Sequence, residues 1–202
     1  MFEQGDAARY GEIERVVKKV EERFGAIDIL VCSGGTDTPG PTLFQDLDPE
    51  VFRRAYEARY LSKVYPVHAA LPGMRERQRG AIVLVTTDGG RQATPGQVLN
   101  GGLGAATILT TKTMALEFAR WKIRVNCLAL TLTSDTPLFD ERLGDPSLAG
   151  KIFNKALAKF PFGAPPSAGE VARVAAFLAS DEACQVTGQT ISVNGGLSFG
   201  GW

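Results

Sequence analysis

The sequence has one histidine, three cysteines and no surplus of either charge, with 22 Lys and Arg against 22 Asp and Glu over 202 residues. Each shortage excludes something. His68, in "YPVHAALPGM", has no second histidine to support it and reads as a satisfied helix histidine rather than a member of a Ser-His-Asp triad. Cys32, Cys127 and Cys184 are odd in number and widely spaced. They form no disulfide framework and no metal-ligand rhythm, and their sparseness fits a reducing cytoplasm. A zero net charge leaves no electrostatic footprint for nucleic acid and no polybasic membrane patch. No apolar run approaches the ~20 residues of a spanning helix. The polar opening "MFEQGDAARYGEIERVVKK" is not a secretory signal.

What is present is an alternation of periods. Ile13, Val16, Val17, Val20 and Phe24 recur at helical spacing and predict an amphipathic helix over about 7–24, ended by Gly25. "IDILVCSGG" then reads as a short strand buried on both faces, running into a glycine turn. Asp48 and Pro49 open a helix over "PEVFRRAYEARYLSKVYPVHAAL". "AIVLVTT" is a second buried strand, about 97–121 a helix, and "IRVNCLAL" a third strand. Residues 131–168 form an irregular excursion with two short helices, followed by a capped helix over "SAGEVARVAAFLAS" and a strand in "GQTISVNGG". One α/β domain over 1–202 with a parallel sheet follows, its ligands expected at the carboxyl ends of the strands. Those ends are Cys32-Ser33-Gly34-Gly35, Thr86-Thr87-Asp88 and Leu128–Thr131.

The order of motifs resembles the short-chain dehydrogenase/reductase family. "RFGAIDILVCSGG" resembles its FGxIDxLVNNAG, "GAIVLVTTDGG" its GxIVxxSSxxG, and "IRVN" a further strand signature. "GEVARVAAFLASDEACQVTGQTISVNGG" resembles its C-terminal segment almost residue for residue. Asp6 resembles the acidic residue after the family's third strand. The resemblance implies a Rossmann-like, doubly wound parallel sheet, here a partial one expected to lack the first strands and the glycine-rich dinucleotide turn.

It also implies a chemistry whose residues are replaced. Family members move a hydride between nicotinamide and a carbonyl or alcohol with a Tyr, a Lys, a Ser and a helix Asn. By register these fall on Asn100, Gly104, Thr87 and Arg59. The strand-end cofactor positions fall on Cys32, Ser33, Gly34 and Gly35, and the family's Pro-Gly beside the nicotinamide falls on Leu130-Thr131. An Asn exchanges no proton near neutral pH, and Gly104 has no charge. Nothing over 86–107 reads as a convincing acid, base or cation.

The sequence therefore suggests a non-catalytic subunit with no cofactor of its own and no metal. NAD or NADP would enter only with a longer N-terminus or through a partner. Such a chain would form homo- or hetero-oligomers with a paralogue acting on a hydroxy or keto substrate, possibly an acyl-CoA. Gly101, Gly102 and Gly104 are expected to admit a close inter-subunit helix contact. Two alternatives are an NAD(P)-dependent oxidoreductase with atypical groups, and a cofactor-free lyase or hydratase using Arg59, Thr87 and Asp88. Asp88 also reads as a turn residue, and Cys32 as a packing residue rather than a nucleophile.

Overall fold

The computed structural model describes residues 1–35 and 39–199. Four strands, β1 (Ile29–Cys32), β2 (Gly80–Thr87), β3 (Ile123–Leu130) and β4 (Thr190–Val193), form one parallel sheet in the order β1-β2-β3-β4. The helices are α1 (Tyr10–Phe24), α2 (Pro49–Tyr56), α3 (Ser62–Arg77), α4 (Val98–Phe118), α5 (Pro137–Arg142), α6 (Leu148–Leu157) and α7 (Ala168–Ala179). The expected elements are in place, except that the first helix starts later than its periodicity suggested and the single helix expected from Pro49 is divided into α2 and α3 by the intervening residues Glu57–Leu61.

Period-two alternation sorts the core. Ile82, Leu84, Ile123 and Val125 face one side with Val67, Ala70 and Met74 of α3 and Ala115 and Phe118 of α4. Val83 and Leu128 face the other, with Leu178 of α7. Helices on both faces make the sheet doubly wound, as expected, and β2 and β3 are buried through most of their length.

The first strand is different. Ile29 is 53% and Val31 46% exposed, while Leu30 and Cys32 pack inward toward α3. The expectation of burial on both faces is thus corrected. β1 is an edge strand of the described sheet, and α1 packs against α3 rather than over Ile29 and Val31.

Several framework motifs have visible causes. Asn126, fully buried, donates from Nδ2 to the Val186 carbonyl (2.7 Å) and accepts from the Gln189 N–H (3.1 Å), pinning the loop before β4 onto β3. Arg124 donates to the carbonyls of Leu178 (2.7 Å) and Ser180 (2.8 Å), closing the C-terminus of α7. Ser167 and Glu170 form a reciprocal capping box at its N-terminus.

Candidate functional site

The carboxyl ends of β1, β2 and β3 and the first turns of α4 meet at one end of the sheet. After β2 the chain makes a tight turn over Asp88–Gly90, capped by Thr87, whose Oγ1 accepts the Gly89 N–H (3.2 Å). The Thr87 hydroxyl keeps its own proton to donate. Asp88, 3% exposed, is saturated. Its Oδ1 accepts from Arg91 (2.8 Å) and Ser192 (2.5 Å), and its Oδ2 from Asn194 (2.6 Å) and Ser198 (3.1 Å). Arg91 also meets Ser192. The stretch 86–107 therefore does hold an acid and a cation, but they are a buried pair that ties the β2 turn to the chain after β4. Asp88 has no lone pair to spare as a base.

Glycines on both sides bring α4 onto this turn. A Cβ at Gly101 would come within 2.9 Å of the Gly89 oxygen, and one at Gly104 within 2.8 Å of Thr87 Cγ2. A Cβ at Gly90 would reach the Gly104 carbonyl carbon at 2.5 Å. At Gly101 and Gly104 the space a side chain would fill is taken by the chain's own turn after β2. Gly102 alone faces open space. Position 104 has no room for a side chain in this arrangement, and Asn100 stands one turn before it.

At β1, Cys32 is buried and its Sγ donates to the Lys63 carbonyl (3.7 Å). Burial pushes the Cys32 and Cys127 thiols up to about 12, so neither is a nucleophile. Ser33 and Gly34 are exposed, and Gly35 has φ +114°. They abut one π-helical turn, Glu57–Leu61, between α2 and α3. Arg59 lies in that turn, and burial lowers its pKa. Lys63, one turn on, is 5% exposed and donates from Nζ to the carbonyls of Gly34 (3.1 Å) and Arg59 (2.6 Å). Burial, then the Arg59 charge, pushes its pKa down to about 8.

At β3, Leu130 pairs with Thr87 and packs toward α7, and Thr131 follows it. Asp6 is elsewhere: it is exposed, accepts the Ala8 N–H (2.9 Å) and pairs with Arg9 (3.3 Å) ahead of α1. His68 is a satisfied helix histidine as expected, hydrogen-bonded to the Tyr10 hydroxyl of α1 (2.9 Å). A cavity of about 540 Å³ lies at the opposite end of the sheet, beside Arg79, Lys122 and Arg124, and has no part in this site.

Among the described residues, Arg91 Nε, Asn100 Oδ1, Thr131 Oγ1, Thr133 Oγ1 and Thr190 Oγ1 are buried and have no hydrogen-bond partner. Folded proteins pair the large majority of such buried side-chain atoms. Asn100 lies in the first turn of α4 and Thr131 and Thr133 follow β3, so these three fit a polar ligand at the strand mouths, for which the carboxamide and hydroxyls of a nicotinamide ribotide have suitable groups. No cluster of metal ligands and no helix long and apolar enough to cross a membrane is found among the described residues.

Sequence reasoning placed Thr87, Asn100 and Thr131 at this end but missed Lys63 and Arg91. Lys63 had one signal, its i+4 spacing from Arg59 on a helix face. The partners of Asp88 and Arg91 lie about a hundred residues away, at Ser192, Asn194 and Ser198, and left no local signal.

Comparison with known proteins bears on this geometry. Residues 2–198 match the family model described as enoyl-(acyl carrier protein) reductase. A 3-oxoacyl-[acyl-carrier-protein] reductase of Thermotoga maritima is 34% identical over 186 residues, covering 92% of this chain and 72% of that protein. An acetoacetyl-CoA reductase of Shinella zoogloeoides is 29% identical, over 96% of this chain and 77% of that protein. A gluconate 5-dehydrogenase from Burkholderia cenocepacia, solved in complex with NADP and tartrate, superposes with a TM-score of 0.85 at 25% identity. The superposition covers 96% of this chain and 73% of that one. The expectation of no cofactor is corrected by that likeness, which points to a nicotinamide cofactor. The expected loss of the first strands and of activity gains no support from these matches.

Proposed function

The chain belongs to the short-chain dehydrogenase/reductase family, and on that premise we propose that it is an oxidoreductase using a nicotinamide dinucleotide at the strand mouths. Its substrate is the 3-oxo or 3-hydroxy group of an acyl thioester, the class named in its carrier-protein and coenzyme A relatives. The observation that carries this reading is the set of orphaned acceptors, Asn100 Oδ1, Thr131 Oγ1 and Thr133 Oγ1.

These three atoms would hold the cofactor's polar groups. When bound, the nicotinamide supplies or accepts the hydride. The Thr87 hydroxyl, its lone pair engaged by the Gly89 N–H, is oriented to donate to a substrate oxygen. The Asn100 amide is a second donor but releases no proton near neutral pH. With Asp88 saturated, the proton comes from water reaching the exposed Ser33–Gly34 rim. Lacking a positioned general acid, turnover should be about 10²–10⁴-fold slower than with one.

Titration with NADPH and NADP⁺, followed by turnover of an acetoacetyl thioester, tests this. Saturable binding with slow, Thr87-dependent turnover is expected, and no binding of either nucleotide would reject the reading. Packing at Gly104 favours a second one, in which the chain binds cofactor without turnover and assembles with an active paralogue through the outer face of α4, where Leu109 and Leu116 are exposed. Binding with no turnover alone, but raised turnover of a co-expressed relative, would select it.

A further inference from the structure

Lys63 puts an ammonium group where a hydrocarbon would be cheaper. It lies beside Cys32, a member of the row Cys32, Leu84 and Cys127 across the sheet, just beneath the strand mouths. The thiols, both pushed up to about 12, are uncharged at neutral pH and do not offset it. A methionine would fill much the same space without the desolvation cost. What the amine adds is two charge-assisted hydrogen bonds, to the Gly34 and Arg59 carbonyls.

Those bonds join two backbone segments that share no strand ladder, the glycine turn after β1 and the π-helical turn before α3. Gly35 makes the same junction from the other side. A Cβ there would run into the Ala58 carbonyl oxygen and come within 3.2 Å of Arg59 Cα. Backbone thus meets backbone at 34–35 and 58–59, and Lys63 Nζ is the pin through both. π-Helical turns inside helices recur at functional sites.

We propose that Lys63 is a positioning residue of the strand-mouth site, its Nζ holding the Gly34–Gly35 turn against the Arg59 turn to fix the wall at the end of β1. The claim about the wall deepens the proposed function and rests on that reading; the claim about the pin does not.

The test uses K63M and K63R in the full chain. Thermal unfolding, amide hydrogen exchange of peptides covering 29–35 and 57–63, and NADPH binding are read for each. K63M is expected to unfold at no lower temperature than wild type, because a buried charge is gone. Both segments should nevertheless exchange about tenfold faster and NADPH bind about tenfold more weakly, the order of one lost charge-assisted bond. K63R, which keeps donors for both carbonyls, should restore exchange and binding. Wild-type exchange in K63M would make Lys63 a mere filler and overturn the proposal. Failure of wild type to bind NADPH would defeat the proposed function instead, with exchange still deciding the pin. Should K63M not fold, K63Q, too short to reach both carbonyls, replaces it with the same two outcomes.

Discussion

Gly104 and Thr87 are packed so that a single added methyl on the glycine would come within 2.8 Å of the threonine's Cγ2. Helix α4 and the turn after β2 are thereby locked at a separation that admits hydrogen only. G104A should lose stability, because overpacking costs about 1–3 kcal/mol while helix propensity returns only about 1. G104K should lose more and gain no turnover. Urea unfolding measures both, and a G104K protein of wild-type stability would refute the packing argument.

The pair Asp88 and Arg91 has side chains only 4% and 8% exposed. Removing one charge leaves the other buried without compensation, at a cost of about 3–5 kcal/mol. D88N should show that loss in denaturant unfolding, and D88N/R91M should recover part of it. A D88N loss below about 1 kcal/mol would mean the pair is not the tie between the β2 turn and the chain after β4.

Much of this architecture could be read in advance, and the failures share one cause. "AIVLVTT" and "IRVNCLAL" declare buried strands because their neighbours lie on both sides. "IDILV" carries the same local pattern, yet its outer face depends on what packs there, which no window of residues encodes. The glycines at 101 and 104 were expected to admit a helix of another subunit. Which backbone approaches, the chain's own Gly89–Gly90, follows only from the closed fold. Asn100 and Thr131 were placed by register, but their unpartnered oxygens emerge only once the surrounding atoms are known.

Lys63 gives the protein a signature in alkali. Its pKa in the fold is about 8, against 10.5 for an unburied lysine. Below pH 8 folded and unfolded chains are both protonated there, and the burial cost is fully felt. Between these values the unfolded chain binds more protons, so stability rises with pH, by roughly 2–3 kcal/mol across the window. Wild type and K63M compared by urea unfolding at about pH 7.5 and 10 should differ in slope, K63M lacking this rise. Parallel curves would show that Lys63 titrates normally.

Thiol chemistry should separate the cysteines. Cys184 is exposed, whereas Cys32 and Cys127 are buried with pKa values pushed up to about 12. At pH 8 an aromatic disulfide reagent should label one thiol per native chain quickly, and C184A should remove that phase. Rapid labelling of a second thiol would show that the sheet face beneath the strand mouths opens readily.

In the described sheet β1 has a strand neighbour on one side only. Its outward N–H and C=O groups point away from the described sheet, with Ile29 and Val31 bared alongside. Such a rim is adhesive toward any extended chain, its own copies included. A lysine at position 31 tests whether that rim is open in solution: if it is, the added charge should raise the concentration at which the protein stays clear.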